Sequence, residues 1–478
     1  MSDNAPCNFF KINLSFILHC TVKTIFLNLK QTVMNKLFNL LILISLPLVT
    51  LWGQTGQSLE FNKDYGTLKV VKQQNLRFSA TLEKGNLYGI SVFQRGIDVV
   101  VEIADKNNKK VKDVDTPNGA WGYEKMEFLP TETATYFINI KRLDKKDNRD
   151  TGEVNFKVRL FTKADMLERD RIKKELEPEN KKTVQTADID HFWEAWDKLK
   201  TCKTYNDSVQ SFEKLYIDRA TDGFNDFIKV RQFTAEEYVK IAQECPKFYN
   251  SIRKNTYEVK KAEPLIEEVF QKFKRIYPNF KPFKVCFAIG RLNTGGTVSD
   301  NFVLIGTEIA TATSKIDLSE IKNEAFRKIL EVDEDIVQKI KNMIAHECVH
   351  TQQAVPYDST TIKCPLLYNC MQEGFCDFIG ELVSGSQINK VNQDYGNAHE
   401  KELWQTFKAE MCSENSQRWL YNFAEVKDKP ADLGYYMGYK IAQAYYQKAK
   451  DKKQAIIDII EMNNPLQFLE KSGYDLKF

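Results

Sequence analysis

His346 and His350 stand four residues apart in Ile344-Ala345-His346-Glu347-Cys348-Val349-His350, with Glu347 beside the first. Residues at i and i+4 of a helix lie one turn apart on one face. Two imidazoles so placed reach a single zinc ion at about 2 Å each. Glu347 is then placed to take a proton from a metal-bound water, so the H-E-x-x-H pattern carries a mechanism. The competing reading is a pair of ordinary helix histidines. Only five histidines occur in 478 residues.

A third ligand is expected downstream. Segment 366–385, "LLYNCMQEGFCDFIGELVSG", has helical apolar spacing and carries Glu373 and, four residues later, Asp377. Twenty-two residues separate His350 from Glu373, enough for a turn and a returning antiparallel helix. Glu373 would complete a His₂Glu set, and Asp377 would accept an imidazole N–H and fix its tautomer. Glu381 continues that face as a solvent or ion-pair residue. Cys348, two residues from each histidine, is expected on the opposite helix face.

"HECVH" followed by "QEGFCDFIGEL" resembles the thermolysin-like and aminopeptidase-type zinc metallopeptidases, the gluzincins. The resemblance implies zinc on His346, His350 and Glu373, Glu347 as general base, and Asp377 behind a ligand. A nearer likeness is the family of bacterial predicted zinc-dependent proteases, which pair H-E-x-x-H with a later E-G-x-A-[ED] and a C-terminal G-Y-x-x-G. "DLGYYMGYKIAQAYY" (432–446) matches the last element, while Cys376 stands where the small Ala is usual and Gln372 where Asn is. Tyr435, Tyr436, Tyr439 and His399 are candidates to stabilise an oxyanion; the resemblance favours Tyr435. In that superfamily an edge strand ahead of the H-E-x-x-H helix binds substrate backbone, a role that would fall to Gly295 and Gly296; a simple glycine hairpin is the alternative.

These residues need elements to hold them. "VDEDIVQKIKNMIAHECVHTQQ" reads as one helix starting near Glu331, with acidic residues in its first turn and an apolar stripe of Ile336, Ile340, Met343 and Ile344. Ahead of it, 283–290 and 301–310 read as strands, joined by "RLNTGGTVSD". From 189 to that point and again to the C-terminus the apolar spacing is helical. Residues 163–188 are a charged linker with some helix.

Residues 56–162 are different. "GISVFQ" (89–94), "DVVVEIAD" (98–105), "EKMEF" (124–128), "TYFINIK" (135–141) and "VNFKVRLF" (154–161) are short β-rich runs between turn clusters. They predict an antiparallel sandwich, and the run from "LEKGNLYGISVFQ" onward resembles the jelly-roll domains beside secreted bacterial peptidases, the pre-peptidase C-terminal type. Asp98 and Asp105 are either turn residues or calcium ligands.

From Met34, "MNKLFNLLILISLPLVTLWGQTGQ" has the basic start, apolar core and polar flank of a signal peptide (34–54), which leaves 1–33 as an upstream extension before the true start. No cysteine follows the apolar core, which argues against lipid attachment there. Eight cysteines lie downstream, without C-x-x-C; Cys364 and Cys370 are the nearest candidates to pair. Net charge +3 and no basic stripe give no support for a nucleic-acid partner, and no later apolar run approaches a membrane span.

The expectation is therefore a multidomain chain: an N-terminal antiparallel β-sandwich (56–162), then a mostly helical α+β zincin-like domain (189–478). It would be an exported bacterial zinc metallopeptidase, periplasmic or extracellular, acting on peptide or protein substrates. The alternatives are a zinc-binding but non-proteolytic cell-envelope or adhesion protein that uses its sandwich for binding, and a zinc hydrolase of non-peptide amides or esters. Retention of Glu347 favours catalysis in this reading, because a purely structural zinc needs no base.

Overall fold

A computed structural model describes residues 56–116, 119–145, 148–331, 335–353, 362–423 and 425–478. The signal peptide (34–54) and residues 1–33 lie outside the described residues.

Strict alternation of apolar and polar residues drives the N-terminal region into sheets. In β4 (Leu87–Arg95) Tyr88, Ile90, Val92 and Gln94 are buried and their neighbours half-buried. The other strands are β1 (Gln57–Ser58), β2 (Asp64–Val71), β3 (Leu76–Leu82), β5 (Val99–Ala104), β6 (Lys110–Val114), β7 (Trp121–Phe128), β8 (Ala134–Arg142) and β9 (Thr151–Phe161). They form two sheets, β2-β9-β4-β7 and β1-β3-β8-β5-β6. Every pairing is antiparallel except the short β1–β3 contact. The inner faces share one core, with Phe78 of one sheet 4.4 Å from Phe156 of the other, ring centre to ring centre. The expected runs are all strands; β1, β2, β3 and β6 are additional, and the last three carry fewer β-branched and aromatic residues, with Lys, Arg, Asp, Ser and Thr between their apolar positions.

Helix α1 (Lys163–Asn180) occupies most of the expected linker. Its start is set by a capping box in which Thr162 and Asp165 bond each other's backbone N–H. Helices between 187 and 276 pack an aromatic-rich core around Phe192, Trp193, Tyr216, Tyr238 and Tyr249. Within this helical stretch Ala235–Glu244 and Pro246–Thr256 are separate helices, because Pro246 ends the first ladder and suits the first turn of the second.

A four-stranded sheet follows, ordered β10 (Val184–Gln185), β11 (Lys284–Ala288), β13 (Phe302–Gly306) and β12 (Gly296–Val298). Only the β12–β13 pair is antiparallel, leaving β12 at the edge. The end of the expected second strand is instead a helical turn, Thr307–Ala310.

Four further helices position the site: α2 (Ile336–His350), α3 (Pro365–Ser384), α4 (Lys390–Glu410) and α5 (Leu433–Lys448). α2 begins at Asp335, whose side chain accepts from Gln338 N, not at Glu331, because Glu324–Leu330 form a separate helix. α3 and α5 cross at backbone contact. A Cβ on Gly374 would lie 2.2 Å from Tyr439 N, and one on Gly438 would lie 1.9 Å from Cys370 O. Cys364, ahead of α3, is disulfide-bonded to Cys412, beyond α4. The expected partner, Cys370, is a free buried thiol that packs toward Gly434 of α5, the opposite direction.

Candidate metal centre

α2 and α3 bring the sequence-predicted ligands together. His350 Nε2 lies 3.2 Å from Glu373 Oε2, and His346 Nε2 lies 3.5 Å from the same oxygen. The far side of each ring is committed. His346 Nδ1 is 2.8 Å from Asp377 Oδ1, and Asp377 Oδ2 accepts from Asn389 Nδ2 at 2.8 Å. His350 Nδ1 is 3.0 Å from Gln353 Oε1; Gln353 Nε2 donates to Gln372 O at 2.8 Å, which fixes the amide's orientation.

The proton positions follow. A carboxylate or amide oxygen only accepts, so both Nδ1 atoms carry the proton. Each Nε2 of a neutral imidazole is then a lone pair. Both face Glu373 Oε2, which is itself an acceptor, while Tyr421 OH donates to Glu373 Oε1 at 2.7 Å. With neutral rings, three lone pairs face one place, an arrangement that a bound cation, or a proton added to an Nε2, relieves. The fields agree. Burial pushes both imidazole pKa values down, but Asp377 and Glu373 outweigh it at His346, and Glu373 does so at His350, holding both above the usual range. Burial raises Glu373, and the two histidines override it and hold the carboxyl well below its usual range. Ligand atoms around one tetrahedral ion at about 2 Å stand roughly 3.3 Å apart. The observed 3.2 and 3.5 Å, with the donor set of two imidazoles and a carboxylate, fit zinc.

Cys376 was read from sequence only as a bulkier stand-in for Ala. Its Sγ and a ring nitrogen of each histidine lie within 4.8 Å of one another, and Glu373 is not in that group. The Nδ1 commitments point both Nε2 atoms to Glu373, which makes the carboxylate the better-placed third donor.

Glu347 is buried beside this centre, and burial raises its carboxyl. It abuts edge strand β12: a Cβ on Gly296 would lie 2.3 Å from Glu347 Oε1. Gly295 faces Met343 instead, with 3.1 Å from a Cβ to Met343 Cε. Tyr435, on α5, lays its ring parallel to that of His346 at 6.0 Å. The other candidates go elsewhere. Tyr436 is fully buried and donates to Asn397, Tyr439 donates to Glu381, and His399 bonds and stacks on Tyr395 within its own helix. Cys348 is fully buried in the helical core. In the sandwich, Asp105 caps its own turn, accepting from Asn107 N and Lys109 N, and Asp98 pairs with Lys145.

Three residues that hold the site escaped sequence reasoning: Tyr421, Asn389 and Gln353. Asn389, Tyr421 and Asp432 all have left-handed backbone, at φ 53°, 57° and 58°. Asp432 and Asn422 exchange backbone-to-side-chain bonds of 3.3 and 2.9 Å, which pin the turn that presents Tyr421. Conformations that cost of order 1–3 kcal/mol each persist only where surrounding contacts enforce them. None of these positions carries helical or strand periodicity.

No curated protein matches the chain. Solved structures match only a small N-terminal part. They include the pre-peptidase C-terminal domain of a Bacillus anthracis collagenase (13% identity, TM-score 0.17, 22% of this chain and 95% of that one). Aeromonas hydrophila PliG, a periplasmic inhibitor of g-type lysozyme, matches at 7% identity and TM-score 0.18 (22% and 96%). CorA, a surface-associated copper-binding protein of Methylomicrobium album BG8, matches at 12% and 0.17 (22% and 97%).

The helical region has a different relative from the one its motif implies. Residues 172–476 match the family of gliding motility protein GldB. This overturns the assignment to a zinc-dependent protease family and, with it, the expected metallopeptidase activity. Two imidazoles and a carboxylate on crossing helices are what holding an ion requires, and that geometry alone does not name a reaction. A lipoprotein family of the cell envelope agrees with export or envelope association, and among the described residues no helix is long and apolar enough to cross a membrane. With the match running through nearly the whole helical region and well over half the sequence, the chain belongs to the GldB family of gliding motility proteins.

Proposed function

We propose that this chain is a non-proteolytic envelope component of gliding motility that holds one zinc ion as a fixed part of its helical region, on His346, His350 and Glu373. The observation that carries the reading is the convergence of two Nε2 lone pairs and Glu373 Oε2 on one place, with both Nδ1 protons already committed. Bound there, the ion would tie α2 to α3 and, through the Glu373–Tyr421 bond, to the loop before α5. That makes it a clamp across three segments distant in sequence, and binding energy of a metal to a folded site is folding energy. The sandwich, whose strand orders β2-β9-β4-β7 and β3-β8-β5-β6 support a jelly-roll reading, would stand beside it on the outer side of the cytoplasmic membrane.

Two measurements test this. Elemental analysis of the purified chain should give about one zinc per chain, lost in His346→Ala. A metal-free chain, or a variant that keeps its zinc, overturns the clamp. In the source bacterium, deletion of the gene should abolish spreading over a surface, and the His346→Ala allele should fail to restore it. Normal spreading in the deletion strain rules out the motility role.

A further inference from the structure

The outer face of the β1-β3-β8-β5-β6 sheet holds a recess of about 680 Å³, within the roughly 300–1,000 Å³ range of small-ligand clefts. One cross-strand row forms its floor: Arg77 of β3 opposite Asn139 of β8, opposite Glu102 of β5. Outward positions of a sandwich are ordinarily wet. Asn139 points outward yet is only 6% exposed, and it lines the recess. Arg77 is similar. Its guanidinium lies 3.8 Å over the Phe137 ring and bonds Asn108, but its Nε is buried without a partner among the described residues. A buried guanidinium N–H without a partner costs about 1–3 kcal/mol, so Arg77 Nε, on the floor of a recess beside the sunken Asn139 amide, points to a ligand.

The lining identifies its chemistry. Six carboxamides, Gln57, Gln73, Gln74, Asn75, Asn108 and Asn139, line the recess. Each offers donors and an acceptor side by side, the pattern that matches vicinal hydroxyls, which both donate and accept. Glu102 is ion-paired with Lys141 and Lys110 with Asp113, so no strong field of one sign selects a phosphate or a nucleic acid. Leu76, Phe78 and Ala104 are the sole apolar contributors among the lining residues, too few for a lipid tail. The recess lies over a face, with β1 and β6 at the edges, so strand addition by a peptide is not its mode. We propose that this face binds a saccharide, through hydrogen bonds of its hydroxyls to Asn139, Arg77 and the amide rim. The site is independent of the metal reading.

Affinity electrophoresis of the exported chain through gels holding dextran, xylan, pectin or alginate, followed by titration calorimetry with the matching oligosaccharides, tests it. Retardation by at least one polysaccharide is expected, with dissociation constants of micromolar to millimolar order. Asn139→Ala and Arg77→Met should weaken binding tenfold or more. The rim variant Asn108→Ala, which leaves the core untouched, should weaken it severalfold even if the floor variants fold poorly. His346→Ala should bind like the wild type. Mobility unchanged in all four gels, or equal retardation of the wild type and Asn108→Ala, overturns the proposal. So does binding confined to an unstructured peptide library.

Discussion

At the scale of single residues, the site is a matter of which lone pairs face which protons. His346, His350, Glu373 and Asp377 were legible in sequence because each is defined by a local interval: four residues between the histidines, four between the carboxylates. Their contributions differ by position. Asp377 holds the proton on the far side of His346, so Asp377→Asn should lower zinc affinity by roughly 10–100-fold while stoichiometry at saturation stays at one, as competition with a chelating dye will show. Cys376→Ser should leave that affinity within about threefold, because the thiol is not where both Nε2 atoms point; a loss equal to that of Glu373→Ala would make the thiol the ligand instead. Tyr421 had no such interval to betray it. It lies 48 residues from Glu373, in a loop whose conformation depends on the Asn422–Asp432 pair.

Among the elements, α3 does most of the positioning, since it touches α2 on one face and α5 on another. It can do so because glycines stand where backbones meet. Gly374 and Gly438 allow the α3–α5 crossing, and a Cβ on Gly380 would come within 3.1 Å of His346 N. Gly438→Ala should force the crossing apart, costing about 1–3 kcal/mol in urea denaturation and weakening zinc retention, because Glu373 and Tyr435 ride on the two helices that separate. The Cys364–Cys412 bridge closes a span of 48 residues that contains α3 and α4. Cys412→Ser should cost up to about 4 kcal/mol by the loop-entropy argument, measured against the oxidised chain in the same denaturant series. Helix and strand identity was largely readable from apolar period. Helix ends were read less well: the start of α2 depends on the cap at Asp335, and the end of β13 on a short-range turn, neither of which alters the period.

Across the whole molecule, two apolar cores, one between the sheets and one among the helices, account for the change of pattern near residue 162. The helical core encloses a charge-bearing group that reports on global stability. Glu308 is fully buried under the β11–β12 connection, accepting from Gly290 N at 2.7 Å and Leu292 N at 3.0 Å. Burial pushes its carboxyl up to about 7 against those two bonds. The unfolded chain releases this proton near 4.5, the folded chain only near 7, so between those values the folded state binds more protons. Stability from this group is therefore full below pH 4.5, falls as pH rises to 7 and is flat above, a loss of roughly 3 kcal/mol. Unfolding free energy measured from pH 4.5 to 8 should show this slope in the wild type relative to Glu308→Gln, whatever the variant's absolute stability; parallel curves would refute it.

The sequence by itself determined the features that rest on short intervals. A four-residue spacing puts two imidazoles on one helical face, an alternation of two puts Val and Ile inside a sheet, and a change from the second period to the first marks the passage from sandwich to helices. Local geometry enforces these whatever the rest of the chain does. The tertiary structure decided what depends on distant segments meeting. It brought Tyr421 onto Glu373, Asn389 onto Asp377, Cys412 rather than Cys370 onto Cys364, and Arg77 beside Asn139 on the recessed outer face. Spacing fixes where lone pairs point, but it is blind to what stands around them, and the match of the whole helical region to gliding motility protein GldB replaced the activity that the motif alone had implied.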